Sequence, residues 1–458
     1  MQEKIKQNSA GIVGLFHVEQ AAQTIYYAMH AIQHRGQDGV GIAVSDGDSV
    51  VCKKGLGLLS ETLKQDVIDD LSGNNAIGQL RMATANDSQL ENVQPIMVRS
   101  HQRYFAVVSN GMVTNAHTLR NQMENEGLIF QGTSDSELMA HLIQKYSGTF
   151  VEKIQKACQT MSGAYAFIIL TKDSLYVARD PHGIRPLSIA QVDDGYCVSS
   201  ETCSFPILGA EFLREVEPGE LIELSNEGLT SYRISESNDK KTCAMEYVYY
   251  SRPDSVLNGL TVHNVRKQCG YYLAKEEDTQ ADIVVGVPDS ALSAAASFAQ
   301  TLNVPYETGL IKNRYIGSTF IRPTQQQRMQ GMRVRLNAIS SVVKNKRIYL
   351  VDDSVVKGFT SKRISQLLKE AGAKEVHLRI ASPQLKYPCL YGADSTDKKD
   401  LVAANYSLED MKQLFHVDSI RFLSVEDFKK CVPETSCFAC CTGNYPEELN
   451  DYKDEVEV

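Results

Sequence analysis

The run Arg347-Ile-Tyr-Leu-Val-Asp-Asp-Ser-Val-Val-Lys-Gly-Phe-Thr-Ser361 decides how the second half of this chain is read. Ile348 to Val351 are apolar and largely β-branched or aromatic, which predicts a buried strand. Ser361 to Ala371 carry apolar side chains at helical spacing and end before Gly372, a natural C-cap. The polar loop between them ends at a helix N-terminus. Main-chain N–H groups from Val356 to Thr360, with the hydroxyls of Thr360 and Ser361, can there cradle a phosphate, because unpaired donors and the helix dipole favour an anion. Asp352 and Asp353 sit just ahead, placed to accept hydrogen bonds from sugar hydroxyls or to contact hydrated Mg²⁺. A solvated acidic turn closing a βα unit would explain the two aspartates alone, but not the whole run.

The composition surrounding this run is that of a globular protein. With 458 residues, 43% hydrophobic and 22% charged, the chain can build two or three cores, and two domains are expected. A net charge of −9 and a pI near 5.7 argue against nucleic acid or an anionic membrane as the main partner. No apolar run approaches the roughly eighteen residues of a spanning helix, and the opening Met1 to Ser9 lacks the apolar core of a signal peptide. A cytoplasmic location is expected. Eleven scattered cysteines do not resemble a secreted disulfide framework and fit a reducing compartment.

From Gly11 to about Ile234 the chain is strand-rich, as in Gly163 to Ala178, with helical segments over Ala22 to Gln33 and Ser136 to Tyr146. This pattern predicts a sheet sandwich with helices outside. Ser235 to Lys241 is polar throughout and predicts a linker. Strand and helix alternate beyond it, as in a mostly parallel sheet. The acidic tail after Pro446 is expected to fray.

Four further motifs lie in order along the chain: Gln33-His-Arg-Gly-Gln-Asp-Gly39, Thr133-Ser-Asp-Ser-Glu137, Ala281-Asp-Ile-Val-Val-Gly-Val-Pro-Asp-Ser290 and Lys312-Asn-Arg-Tyr-Ile-Gly-Ser-Thr-Phe-Ile-Arg-Pro323. With the opening run they resemble the glutamine 5-phosphoribosyl-1-diphosphate (PRPP) amidotransferases, or amidophosphoribosyltransferases, from about Gly11 to Tyr445. The resemblance implies an α+β N-terminal-nucleophile (Ntn) hydrolase-type αββα sandwich followed by an α/β type I phosphoribosyltransferase domain. Its boundaries are a propeptide-like leader over 1–9, a glutamine amidotransferase domain over 10–236, a phosphoribosyltransferase domain over 242–445 and the tail over 446–458.

For the second domain the resemblance implies that Val287-Pro-Asp-Ser290 grips diphosphate and that Ser290, Asp352 and Asp353 surround Mg²⁺ and sugar. Lys312, Arg314, Arg335, Lys357, Gly358, Thr360 and Ser361 become substrate-binding. Between Lys312 and Arg335 stand six basic residues and no acidic one, suited to closing over a diphosphate and excluding water. A solvated basic loop or a nucleic-acid contact is the alternative. Ser318 and Lys357 stand where the family has arginine, Arg335 where it has lysine, and Phe359 where it has threonine. The charge exchanges alter fork geometry, and Phe359 removes a hydroxyl donor.

For the first domain the resemblance implies an N-terminal cysteine nucleophile whose own α-amino group is the base. Ala10 occupies that position. Ser9 lies one residue out of register, and no cysteine precedes Cys52. Without a cysteine to remove it, the leader Met1 to Ser9 is expected to stay attached. Asn110 and Gly111 match an oxyanion hole. Arg81, Thr84 and Asp135 match positions that hold the carboxylate and amino group of glutamine, with Arg35 supporting the site. Gln79, Met82, Asn86 and Ser109 depart from the family's histidine, tyrosine, glycine and histidine, a drift that favours a natural paralogue without glutaminase activity.

Cys437-Phe-Ala-Cys440 has metal-ligand spacing, and Cys243 and Cys389 match the remaining ligands of the family's iron–sulfur subset. A [4Fe-4S] cluster is expected, with structural Zn²⁺ or free thiols as alternatives. Cys431 and Cys441 read as spare thiols, and Cys52, Cys158, Cys197, Cys203 and Cys269 as small apolar residues.

The expected activity is formation of 5-phosphoribosylamine and diphosphate from PRPP and a nitrogen donor, glutamine in the family and ammonia here, at the first step of purine synthesis. Purine nucleotides as inhibitors and a homotetramer are family expectations. The rival is a non-catalytic PRPP or nucleotide sensor that regulates an active paralogue. A PRPP-responsive repressor is disfavoured by the lack of a basic helix-turn-helix module.

Overall fold

The computed structural model describes residues 10–83, 89–99, 104–235, 240–313, 336–392 and 397–456. Two antiparallel sheets face each other in the first part. One runs, edge to edge, Glu211–Glu215, Ser188–Val192, Gly195–Ser199, Gly11–Phe16, Asn75–Arg81, Gly39–Ser45 and Val50–Leu56. The other runs Gly228–Arg233, Glu220–Ser225, Leu175–Arg179, Gly163–Leu170, Tyr104–Val113 and Ile96–Arg99. Their facing side chains, among them Ile12, Ile77, Val108, Ile168 and Val198, make one dry core.

The outer face of the first sheet is covered by the helix Ala21–Ala31, through Ile25, Ala28 and Met29. The outer face of the second is covered by Asp135–Lys145 and Phe150–Thr160. Strands buried on both faces explain why Gly163–Leu170 is buried along its whole length rather than alternating. This is the αββα sandwich, and burying an aliphatic side chain in such a core contributes about 1.5–3 kcal/mol.

Beyond residue 240 a parallel sheet runs Ile283–Gly286, Arg347–Asp352, Glu375–Ile380 and Ser419–Phe422. Helices Val262–Lys275 and Leu292–Leu302 cover one face, with Phe298 against Tyr349. Phe359–Glu370 and Leu408–Phe415 cover the other, through Ile364, Leu368, Met411 and Phe415. This is the α/β half, and its strand ends point their loops to one rim, where a doubly wound sheet binds ligands. No helix of the described residues is long and apolar enough to cross a membrane.

Two expectations change. The described part of the tail is packed rather than frayed: Asn450–Glu455 forms a 3₁₀ turn with Tyr452 buried against Met112 of the sandwich and Leu390 of the second half, because the tail finds an apolar socket there and helix N–H groups on the sandwich to cap. The helix after the loop that follows Asp353 starts at Phe359, not Ser361, because Gly358 caps it in a left-handed conformation at φ 77°. Of the linker, residues 236–239 lie outside the described residues.

Candidate functional site

The rim of the parallel sheet gathers the expected phosphoribosyl residues. Asp352 ends its strand and Asp353 follows, both buried. Burial, and for Asp352 also its neighbour's charge, push both carboxyls above the ordinary value, so the pair resists double ionisation without a cation or hydroxyl donors. The Ser290 hydroxyl donates to Asp353 Oδ2, bringing the end of the Val287-Pro-Asp-Ser290 turn to the acidic pair. Two carboxylates and a hydroxyl in a dry corner fit a hydrated Mg²⁺ shared with a phosphate.

Gly358 ends the loop after the acidic pair as the cap of the helix Phe359–Glu370. A Cβ there would lie 2.5 Å from the Phe415 ring, so the turn admits only glycine. Phe359, Thr360 and Ser361 form the helix's first turn, whose N–H groups have no intrahelical acceptor. Thr360 is exposed at the loop and Ser361 buried beneath it, while Phe359 projects into solvent at 68% exposure. Two cations are already engaged: Lys357 Nζ lies 2.8 Å from Asp400, and Lys312 pairs with Asp289. Exposed pairs of this kind are worth at most about 1 kcal/mol, so a phosphate can displace them. Asp289 stands in the Val287-Pro-Asp-Ser290 motif, but its pairing with Lys312 and the partnership of Asp400, 43 residues beyond Lys357, leave no local signal in the sequence. Arg314, Ser318 and Arg335, with the rest of the basic loop after Asn313, lie outside the described residues.

The second constellation surrounds Ala10, at the start of the sandwich's central strand. Ala10 N donates to Asn110 Oδ1 at 2.9 Å, and Arg35 Nε donates to Ala10 O at 3.2 Å. Gly111 has φ 123°, and a Cβ there would meet Ala164 O at 2.1 Å. The buried amides of Asn110 and Gln79 flank this point. Asn110 Nδ2 and Gln79 Oε1 have no hydrogen-bond partner among the described residues. Gln79 Nε2 donates to Ser109 O at 2.6 Å, and Ser109 joins Gln94 and Ser136 in a buried polar cluster.

Arg35 belongs to the support, not to a ligand surface. Its guanidinium is divided between Glu201 and Glu246, each 2.8 Å away. Arg81 is buried at the end of its strand, beside Gly39. Asp135 opens its helix, accepts from Val113 N at 2.8 Å and is held up to about 6 by burial, which outweighs that hydrogen bond and Arg120. Thr84, Asn86 and Ser9 lie outside the described residues.

The four expected cysteine ligands share one neighbourhood. Cys243 and Cys437 form a β-bridge, and Lys386 N and Tyr387 N both donate to Cys440 O, just ahead of Cys389. Burial pushes Cys243 up to about 12, and Cys437 well above the ordinary thiol value, with the other thiols adding to each shift. The closed four-thiolate cage is not formed. Among the described residues no three His, Cys, Asp or Glu side chains stand together as a metal site. Cys440 Sγ lies 3.9 Å from Cys441 Sγ instead, so the donor set suits a soft metal while its geometry does not.

An Ntn-type αββα sandwich, with Asn110 of the strand Tyr104–Val113 held against the start of its first strand, joined to a parallel sheet with a glycine-capped helix behind an acidic pair, is the fold of an amidotransferase coupled to a phosphoribosyltransferase. Residues 79–206 match the glutamine amidotransferase domain family and residues 261–403 the phosphoribosyl transferase domain family. The chain is 46% identical over 456 residues to the amidophosphoribosyltransferase of Bacillus subtilis (strain 168), covering 97% of this chain and 95% of that one. It is 42% identical to that of Staphylococcus aureus (strain MRSA252), covering 97% and 92%. A solved B. subtilis glutamine PRPP amidotransferase, complexed with ADP and GMP, superposes with a TM-score of 0.91 at 45% identity, covering 97% of this chain and 99% of that one. The chain belongs to the amidophosphoribosyltransferase family.

Proposed function

We propose that this protein forms 5-phosphoribosylamine from PRPP at the first step of purine synthesis, taking its nitrogen from ammonia rather than from glutamine. The amine lone pair attacks C1 of PRPP, the C1–O bond to diphosphate breaks with its electron pair leaving on diphosphate, and the nitrogen loses a proton to solvent. Gly358, Thr360 and Ser361 hold the 5′-phosphate. Ser290, Asp352 and Asp353 would hold Mg²⁺, which supplies charge neutralisation for the leaving diphosphate, with Lys312, Arg314, Arg335 and Lys357 as the cationic cover.

The observation that carries the choice of donor is the methyl side chain at Ala10. Its backbone is held by Asn110 and Arg35 where the family nucleophile would stand, with nothing to attack a carboxamide. Asn110, Gly111, Arg81, Thr84 and Asp135 would still bind glutamine. We divide the chain into a glutamine amidotransferase domain over 10–236 and a phosphoribosyltransferase domain over 242–445. We assign Cys243, Cys389, Cys437 and Cys440 to one metal centre, a [4Fe-4S] cluster, on their donor chemistry and shared neighbourhood, although their side chains, as they stand, form no cage and would have to rotate toward one another to hold it; it enters no step. Purine nucleotides are proposed as inhibitors, since a solved relative carries ADP and GMP.

The test is Mg²⁺-dependent diphosphate release from PRPP with ammonium, with glutamine and with no donor. Release with ammonium alone supports the reading, and equal release with glutamine overturns it. The exposed Phe359 favours a second reading, a non-catalytic PRPP- or nucleotide-binding paralogue that regulates an active partner; binding of PRPP without release for any donor would select it.

A further inference from the structure

The chain's last described residues follow the parallel-sheet half, yet they dock on the sandwich. The helix Ala116–Asn125 has no side-chain cap from its own N-cap residue, Asn115. Asp451 supplies one from the tail: its Oδ2 accepts from His117 N at 2.9 Å and Thr118 N at 3.2 Å, and its Oδ1 accepts from the Thr118 hydroxyl at 2.5 Å. A carboxylate there also meets the positive end of the helix dipole. The Thr114 hydroxyl donates to Glu448 O at 3.0 Å, and Asp451 N donates to Thr114 O at 3.2 Å. These contacts pin the residue that follows.

Tyr452 is 1% exposed, packs on Met112 and Leu390, and lines one small cavity together with Val113, Arg120, Thr133 and Asp135. The cavity is about 10 Å³, room for about one water molecule.

We propose that Tyr452 is a positioning residue of the glutamine-binding site, closing the cavity beside Asp135 so that this carboxylate meets an incoming ammonium group without competing solvent. The proposal rests on the reading of Asp135 as the group that binds the amino group of glutamine. Arg120 acts on Asp135 from Ala116–Asn125 and the Tyr452 phenol faces it from the tail, while His117 lines the same cavity and Glu137, on the helix of Asp135, faces Arg120. Burial holds Asp135 up to about 6. Removing the Tyr452 ring admits water, returns the carboxyl toward its ordinary value and weakens its pairing with a cation.

The test is glutamine binding by titration calorimetry between pH 5 and pH 8. The native chain, with Ala10 unable to turn the ligand over, is compared with Tyr452→Phe, Tyr452→Leu, Tyr452→Ala and Asp135→Asn. Native affinity should rise with pH through about 6. Tyr452→Ala should bind about tenfold more weakly, with that rise moved to lower pH, while Tyr452→Phe keeps both. If Tyr452→Ala does not fold, Tyr452→Leu carries the test, since it preserves the contacts with Met112 and Leu390. Loss of binding in Asp135→Asn with native affinity and pH dependence in the Tyr452 variants overturns the role of Tyr452 alone. Native binding in Asp135→Asn, or none in the native chain, overturns the reading of Asp135 and this proposal with it.

Discussion

Arg35 and Glu246 form a two-armed ion pair, 2.8 Å on both arms, between the sandwich and the segment that begins the second half, with both side chains almost wholly inaccessible. The same guanidinium reaches Glu201, and its Nε fixes the carbonyl of Ala10. Glu246 in turn accepts from Arg185, whose Nε donates to Tyr391 O at 2.8 Å. Stripping one partner from such a pair leaves a buried charge uncompensated, a loss of about 3–5 kcal/mol. Arg35→Met should therefore lower stability by that order in denaturant unfolding. A loss below about 1 kcal/mol would mean that the pair is solvated in solution.

The same network sets a limit in acid. Burial alone would raise Glu246 and Glu201, but Arg35, with Arg185 for Glu246 and His34 for Glu201, outweighs it and holds both below the ordinary value of 4.5. Groups depressed on folding bind fewer protons in the native state. Their contribution is complete above about 4.5 and is lost as pH falls below it. Melting temperature should drop steeply below that pH, and Arg35→Met should flatten the drop. A native chain whose melting point holds down to about pH 2 would contradict the assignment.

At the phosphate loop the expected gain comes from restoring a donor. Phe359 lies in the first helical turn beside Thr360 and is exposed, so its ring contributes little to the core. Phe359→Thr adds a hydroxyl next to an ionised phosphate, worth about 1.5–3 kcal/mol. The KM for PRPP should fall by about tenfold or more, with folding stability nearly unchanged. An unchanged KM would place the phosphate away from this turn.

How much of this was legible in the chain follows from the range of each interaction. The strand over Arg347–Asp352, the acidic pair and the helix after it are local, so hydrophobic period and turn chemistry were enough to read them. Asn110 and Gly111 were legible by resemblance. The partners Glu201 and Glu246, 166 and 211 residues from Arg35, leave no local signal, and neither does the tail's hold on Thr118 across 333 residues. The tail misled for a physical reason: its acidity reads as a solvated end, but Asp451 is spent on helix N–H groups and Tyr452 on an apolar socket. The cysteine motif carried identity and neighbourhood, while ligand geometry depends on side-chain rotation that spacing does not encode.

The four-cysteine neighbourhood yields the last prediction. Held without a cation, Cys243 and Cys437 are neutral thiols, because burial pushes both above the ordinary value and each further thiolate would add repulsion. A metal centre would reverse this by stabilising the thiolates, and the binding free energy would then add to folding. Protein purified without oxygen should show the broad visible absorbance of a [4Fe-4S] cluster and about four iron atoms per chain. Cys243→Ser should lose both, along with several kcal/mol of stability, because it removes a thiolate ligand from a centre that would tie the start of the second half to its end. Tetrahedral zinc in place of iron would keep the stability effect without the colour. Chains that fold equally well with neither metal, and with Cys243→Ser neutral, would make the four cysteines ordinary buried thiols.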